Sequence, residues 1–178
     1  MDGISRTTLL ASVVMFGIGV VSGTVTYLQR SPAIRPHDPS ANAILVQIVL
    51  AVIGVGLILA LPRLDPKRRP RSVTLTAPFS WSALYRVKQT ILVRSGAPVI
   101  SMVRAVIVGL LTIALMYNLF RAGEQVAGGL DPNFTVNAWG GPSYLGAMLA
   151  HYLDAIYLFY IEAILLNIVL LRPHDPSL

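Results

Sequence analysis

Four long apolar stretches, separated by polar and proline-rich connections, divide the chain. They cover about residues 7–28, 41–61, 99–120 and 143–171. A helix needs about 20 predominantly apolar residues to cross the hydrocarbon core of a bilayer, and each of the four stretches is that long. The pattern therefore predicts an all-α integral membrane protein, a bundle of four transmembrane helices in a single membrane domain that covers residues 1–178.

The composition points the same way. Of the 178 residues, 54% are hydrophobic and 12% are charged, whereas soluble domains carry about 25% charged residues. The first apolar run exceeds the 7–15 residues of a cleaved signal peptide's core, so we interpret it as an uncleaved first span. The chain contains no cysteine, which excludes disulfide bonds, thiolate metal sites and thiol catalysis.

Positive charge is concentrated in the connection between the second and third spans, residues 62–98. This connection holds eight of the fourteen Lys and Arg residues, against the single acid Asp65. Positively charged connections stay on the cytoplasmic side of a membrane. The distribution predicts a multi-pass protein of the bacterial plasma membrane with both termini in the cytoplasm and the connection 121–142 outside. The same distribution explains the net charge of +6 without a nucleic-acid partner.

Residues 79–94 of the basic connection have helical spacing of apolar side chains. Trp81 and Tyr85 lie on one side and are flanked by basic residues. Aromatic and basic residues on an amphipathic helix favour a position in the headgroup layer, in contact with membrane lipids. Docking on a soluble partner such as an ATPase is the alternative. Trp139, in the connection 121–142, is predicted to anchor at the outer headgroups.

Small residues indicate where two helices can approach closely. Gly19 and Gly23 form a small-xxx-small pair in the first span, and Gly54 allows a similar approach in the second. We interpret these glycines as helix-packing positions within one chain, with a homodimer interface as the alternative.

The fourth span carries three ionisable residues, His151, Asp154 and Glu162. At about 100° per residue they lie on one face, which must meet protein, water or a partner because such groups are costly in hydrocarbon. For His151 and Asp154 two interpretations stay open: a hydrogen-bonded knot with the end of the third span, or a proton relay or substrate contact. Arg104 lies at a matching depth, which predicts an ion pair or a shared water cluster with Glu162.

One segment carries a resemblance. Residues 137–154 read Asn-Ala-Trp-Gly-Gly-Pro-Ser-Tyr-Leu-Gly-Ala-Met-Leu-Ala-His-Tyr-Leu-Asp, and Arg-Pro-His-Asp-Pro follows the first span. Together with the spacing of the spans, they resemble small actinobacterial, particularly mycobacterial, four-span membrane proteins, such as the LucB-like accessory subunits of Mce-type lipid importers. The resemblance implies a position beside permease subunits that carry fatty acids or other lipids. The segment is also similar to DoxX-type four-helix membrane proteins, which implies a partner role in a membrane redox complex.

The sequence contains neither a phosphate-binding loop of the G-x-x-x-x-G-K pattern nor a G-x-S-x-G nucleophile elbow. His151 and Asp154 supply at most two ligands for zinc or iron. We therefore predict no catalytic residue, no metal and no cofactor, and a non-catalytic accessory subunit of a plasma-membrane lipid import complex. The alternative is a small proton-coupled secondary transporter, a homo-oligomer with Glu162 or Asp154 as the coupling group.

Overall fold

The structure is a computed structural model of the chain, and it describes residues 4–38, 45–46, 48–53, 55–56, 79–92 and 98–171. Its helices are α1 (Arg6–Leu28), α2 (Trp81–Leu92), α3 (Pro98–Gly128), α4 (Pro132–Thr135) and α5 (Tyr144–Val169). The described residues contain no β-strand, only an isolated bridge between Ile4 and Ser80. Helices α1, α3 and α5 are each long and apolar enough to cross a membrane. The predicted helical character is confirmed for these three segments, each of which is long and apolar enough to span a membrane.

The predicted second span, residues 41–61, falls only partly on described residues. Residues 48–53 are helical and exposed, and the Tyr157 hydroxyl of α5 donates a hydrogen bond to the Leu50 carbonyl. Gly54 lies outside the described residues, as do residues 62–78 and 93–97 of the predicted basic connection 62–98.

The long helices begin at residues that suit a helix N-terminus, either a capping serine or a proline. The Ser5 hydroxyl accepts a hydrogen bond from the Thr8 amide at the start of α1, and the Ser143 hydroxyl accepts one from the Gly146 amide at the start of α5. Both side chains satisfy amides that have no partner within the helix. Helix α3 starts at Pro98, whose missing N–H costs nothing in the first turn.

Helix α3 ends at Gly128, eight residues beyond the end that the hydropathy pattern predicts for the third span. The added turns are polar, but they suit a helix because Arg121 and Glu124, three residues apart, form an ion pair along its surface. The first proline after the span is Pro132, at the start of α4. The connection predicted at residues 121–142 is therefore shorter in the structure, where it begins after Gly128.

Helix α3 packs against both other long helices, and the contacts fix their directions. Gly19 of α1 meets Phe120, and Gly23, one turn later, meets Glu124 and Gly128, so α1 and α3 run parallel. Later residues of α5 contact earlier residues of α3, so α5 is antiparallel to α3. Two parallel helices require the intervening chain to return along the length of the bundle.

Contacts at the two ends of the bundle show where the chain leaves one end and reaches the other. At one end, which we call the loop-packed end, residues 31–38 after α1 contact residues 133–137. At the other, which we call the α2 end, the Ser5 amide donates to the Phe79 carbonyl at 2.7 Å. The chain therefore travels from the loop-packed end back to the α2 end between residues 38 and 79.

Arg86 fixes α2 to the end of α5. Its Nε donates to the Leu171 carbonyl at 2.9 Å, and one terminal nitrogen donates to the Asn167 side-chain oxygen at 2.6 Å. The other terminal nitrogen reaches the carbonyls of Asn167 and Leu170 at 3.3 and 3.4 Å. Burial lowers the pKa of the Arg86 guanidinium from its usual value. The side chain thus satisfies carbonyl groups that the last turn of a helix leaves without partners.

Candidate functional site

The two connections at the loop-packed end are joined by hydrogen bonds to backbone groups. The Asn133 side-chain oxygen accepts from the Arg35 amide at 2.8 Å, and its side-chain nitrogen donates to the Ala33 carbonyl at 2.9 Å. His37 Nδ1 donates to the Val136 carbonyl at 2.6 Å. A carbonyl oxygen only accepts, so this contact requires the hydrogen on Nδ1. The connections therefore form one folded unit over the ends of the helices.

Glycines allow the connection before α5 to turn sharply. Gly141 has a φ of 91°, a left-handed conformation that glycine adopts without steric cost. A Cβ atom on Gly140 would overlap the Gly146 carbonyl, and one on Gly146 would overlap the Gly140 carbonyl. This close backbone approach folds the segment that carries Trp139 onto the first turn of α5.

A cavity of about 340 Å³ lies at the loop-packed end between α3, α5 and residues 134–139. Its lining combines charged, amide, aromatic and small side chains: Arg121, Phe134, Asn137, Ala138, Trp139, Ala150, His151 and Asp154. A mostly preformed cavity of this size with a few convergent polar groups is typical of a small-molecule site. We refer to it as the Asp154 cavity.

Two charged side chains, Arg121 and Asp154, line the Asp154 cavity, and they differ in their partners. Arg121 forms an ion pair with Glu124, and Glu124 also accepts a hydrogen bond from the Ser22 hydroxyl of α1 at 3.4 Å. Asp154 forms neither a hydrogen bond nor an ion pair with any residue that the structure describes. The His151 ring lies against the Phe134 ring, with centroids 5.6 Å apart. The structure thus brings His151, Asp154 and Arg121 to one cavity, where His151 interacts electrostatically with both charged groups. No hydrogen bond joins the three in the described part of the chain, so the hydrogen-bonded knot, one of the two interpretations of the sequence, does not form among them.

Glu162 lies apart from this cavity. One oxygen of its carboxyl group is buried without a hydrogen-bond partner in the described part of the chain, and the Asn118 side chain is the polar group that interacts with the carboxyl. Asn118 donates to the Ala155 carbonyl at 2.9 Å. Glu162 is eight residues from Asp154, about 12 Å along a helix. The ionisable face of α5 therefore contains two separate polar positions.

Among the described residues there is no ion pair between Arg104 and Glu162. The bond between Asn118 and Ala155 sets the register of α3 against α5, and in that register Glu162 lies level with Leu111. Arg104 is seven residues further along α3, about 10 Å away at about 1.5 Å per residue. Depth counted from the predicted span ends missed this offset because α3 begins and α5 ends at different levels. The alternative, a water cluster shared by Arg104 and Glu162, stays a prediction.

Gly19 and Gly23 are the points where the backbones of α1 and α3 touch. A Cβ atom on Gly19 would overlap the Phe120 carbonyl, and one on Gly23 would overlap the Glu124 carbonyl. Gly123 of α3 makes the reciprocal contact, because its Cβ would overlap the Phe16 carbonyl. Sequence reasoning missed Gly123 by assigning it to a connection, although no proline separates it from the third span.

The aromatic residues predicted to lie at the headgroups occupy two kinds of surface. Trp81 and Tyr85 project from α2 and are 53% and 58% exposed. Trp139 is 37% exposed, and part of its side chain forms a wall of the Asp154 cavity. Trp139 therefore contacts a potential binding site as well as the surroundings of the bundle.

Comparisons with known proteins supply no further assignment. No protein-family model, no curated protein sequence and no solved structure matches the chain. In the part of the chain that the structure describes, no group of three or more His, Asp or Glu side chains is placed to hold a metal ion. The function is therefore argued from the geometry of the helices and of the cavity.

Proposed function

We propose that this chain is a non-catalytic integral membrane subunit that packs beside larger membrane proteins. The proposal rests on how little of each long helix is buried. In α1, α3 and α5, at most 17% of the most apolar stretch is buried within the chain. The exposed apolar surface suits lateral packing against lipid and against partner helices, which van der Waals contact stabilises in a membrane.

The proposed topology has four spans with both termini in the cytoplasm. The parallel directions of α1 and α3 support a return crossing by the apolar stretch 41–61, because both helices then cross the membrane in the same sense. The basic connection supports a cytoplasmic position for the α2 end. The exposed Trp81 and Tyr85 support an interfacial position for α2, in contact with membrane lipids.

The sequence resemblance supplies the class of partner within this proposal. The partners would be permease-type subunits of a lipid importer in a bacterial plasma membrane, with fatty acids as cargo. The chain itself would stabilise the assembly and would take no part in a chemical step.

Site-specific photocrosslinking tests the subunit proposal. A benzoylphenylalanine at Leu10 of α1 or at Leu149 of α5, each 65% exposed, would be irradiated in native membranes. We expect a crosslink to a discrete integral membrane protein, and the same protein in stoichiometric amount after purification in mild detergent. The natural chain without benzoylphenylalanine, irradiated in the same way, is the control and should give no intermolecular product. A single chain with lipid adducts alone would contradict the proposal.

One observation favours a second candidate, a proton-coupled transporter that works as a homo-oligomer. Glu162 has a buried carboxyl oxygen without a hydrogen-bond partner in the described residues, and such an intramembrane carboxyl is a common coupling group. Proton-coupled uptake in vesicles would be compared for the natural chain, Glu162→Gln and Asp154→Asn. Loss of uptake with Glu162→Gln alone supports this candidate, and equal uptake by all three chains removes it.

A further inference from the structure

We propose that the Asp154 cavity binds an organic ammonium group, with the Asp154 carboxylate as its counter-ion and the rings of Trp139 and Phe134 as its aromatic walls. This site is independent of the proposed subunit role, because it lies within one chain. Three properties of the cavity indicate the ligand class: the charge of its lining, its aromatic rings and its size.

The charge of the lining favours a cation. The positive charge of Arg121 is already matched by its ion pair with Glu124. Asp154 has no such partner among the described residues, and it lines open space. A carboxylate near the low-dielectric interior of a membrane protein is stabilised by an opposite charge, and the cavity leaves room for one.

The aromatic lining favours an organic ammonium over an inorganic cation. Indole and phenyl rings attract a positive charge placed within about 6 Å of the ring centre, and the methyl or methylene groups of an ammonium compound also gain apolar contact. Phe134 and Trp139 both border the cavity that contains Asp154. Phe134 is held in position by its contact with the His151 ring. A hydrated metal ion would use none of these ring contacts.

The size and position of the cavity suit a headgroup-sized ligand. A volume of about 340 Å³ is at the lower end of the range for small-molecule sites, which begins at about 300 Å³. The cavity lies at the loop-packed end, where α3 ends and α5 begins. Two sources of ligand share the required chemistry. They are the ammonium headgroup of a membrane lipid, such as phosphatidylethanolamine, and a free ammonium compound, such as choline.

Trp139 fluorescence provides a direct measurement. The chain has two tryptophans, so a Trp81→Phe background leaves Trp139 as the sole emitter. Choline chloride and tetramethylammonium chloride would be titrated at pH 8 into the full chain in a neutral maltoside detergent, with sodium chloride at equal ionic strength as the blank. We expect a saturable change with either ammonium salt and none with sodium chloride.

A matched pair of substitutions on α5 tests the counter-ion. Asp154→Asn should weaken ammonium binding at least about 10-fold, because it removes the charge that the ligand faces. Glu162→Gln makes the same chemical change about 12 Å further along the helix, outside the cavity, and should leave the affinity within about 2-fold. Equal affinity of Asp154→Asn and the natural chain would overturn the proposal.

Phe134→Leu keeps every charge and removes one ring, so it decides the question if Asp154→Asn does not fold. It should weaken binding about 3-fold to 10-fold. Unchanged affinity in this variant, the lack of a saturable response in the natural chain, or a response to sodium phosphate that Arg121→Gln abolishes would each overturn the assignment.

The source of the ligand is separated by the lipid environment. In nanodiscs of pure phosphatidylglycerol, which has no ammonium group, choline should bind as it does in detergent. If the natural occupant is a lipid headgroup, adding phosphatidylethanolamine to the nanodiscs should change Trp139 emission by itself and weaken the apparent choline affinity. If it is a free compound, choline should bind equally in both compositions. A lack of choline binding in both would contradict the site.

Discussion

The two interfaces of α3 are built by different physics. Against α1, the backbones touch at Gly19, Gly23 and Gly123, where a side chain on either helix would collide with a carbonyl of the other. Against α5, the helices are joined by side chains that donate hydrogen bonds to backbone carbonyls of the neighbouring helix: Asn118 to Ala155, Tyr152 to Ala122 and Tyr144 to Val126.

The difference explains where the polar chemistry of the molecule lies. Where the backbones of α1 and α3 touch, side chains and water are excluded, so these positions leave no room for a ligand. Between α3 and α5, where side chains bridge the helices, lie the Asp154 cavity and the carboxyl group of Glu162. One interface therefore provides close packing, and the other provides polar interior surface.

The largest expected effect comes from filling the α1–α3 contact. Gly23→Leu places atoms where the Glu124 carbonyl lies, so the helices must separate. We expect a loss of about 3 kcal/mol in the free energy of unfolding, the upper end for overpacked sites, measured by unfolding in sodium dodecyl sulfate. Gly17→Leu is the matched control on the same helix, because nothing lies within 4 Å of its Cβ position. Equal stability of the two variants would contradict the contact.

Removing a hydrogen bond from the α3–α5 interface should cost less. Asn118→Leu removes the bond to the Ala155 carbonyl and also the contact with the Glu162 carboxyl, and we expect a loss of about 1 kcal/mol, since measured interhelical bonds in membranes reach about 1.7 kcal/mol. Thr112→Val is the control, because the Thr112 hydroxyl donates to the Val108 carbonyl of its own helix. An Asn118→Leu chain as stable as the control would show that the polar contacts of Asn118 contribute nothing to the interface.

The effect of a single tyrosine hydroxyl should be smaller again. Tyr152→Phe keeps the ring and removes the bond to the Ala122 carbonyl, for which we expect about 0.6 kcal/mol, the average for such bonds. Tyr160, whose hydroxyl bonds to no residue that the structure describes, supplies the control substitution Tyr160→Phe. A loss from Tyr152→Phe larger than that from Gly23→Leu would reverse the proposed ranking of the two interfaces.

The smallest effect is expected at a glycine that the α1–α3 contact does not need. A Cβ atom on Gly128 would lie 3.7 Å from the Gly23 Cα, an ordinary contact distance. Gly128→Ala should therefore change the free energy of unfolding by no more than about 0.5 kcal/mol, with the gain in helix propensity opposing any crowding. A loss of stability of more than about 1 kcal/mol in the same measurement would mean that α1 and α3 are closer at Gly128 than the 3.7 Å contact indicates.

The sequence predicted α1, α3 and α5 well because the length of an apolar stretch depends on local composition alone. It predicted the end of the third span less well, since polar residues such as Arg121 and Glu124 continue a helix when they pair along its surface. The partner of Glu162 was harder still, because depth in the membrane does not fix the register between two helices. The capping role of Arg86 was missed, because a run of basic residues does not indicate which one meets the end of α5.

The candidate site was only partly accessible from the sequence. Helical periodicity placed His151 and Asp154 on one face, and both line the cavity. The other walls come from the turn around Trp139 and from Phe134, whose positions depend on long-range hydrogen bonds such as that between Asn133 and Arg35. Bonds between residues about 100 positions apart leave no periodic pattern in a sequence.

Cysteine accessibility tests the central claim, that α1 and α3 cross the membrane in the same direction. The chain has no cysteine, so single substitutions report cleanly. Ile34→Cys and Leu130→Cys would mark the loop-packed end, and Lys88→Cys would mark the α2 end. We predict that a membrane-impermeant maleimide labels the first two on intact cells and the third only after permeabilisation. Labelling of Ile34→Cys and Leu130→Cys from opposite sides, or of all three from one side, would contradict the account.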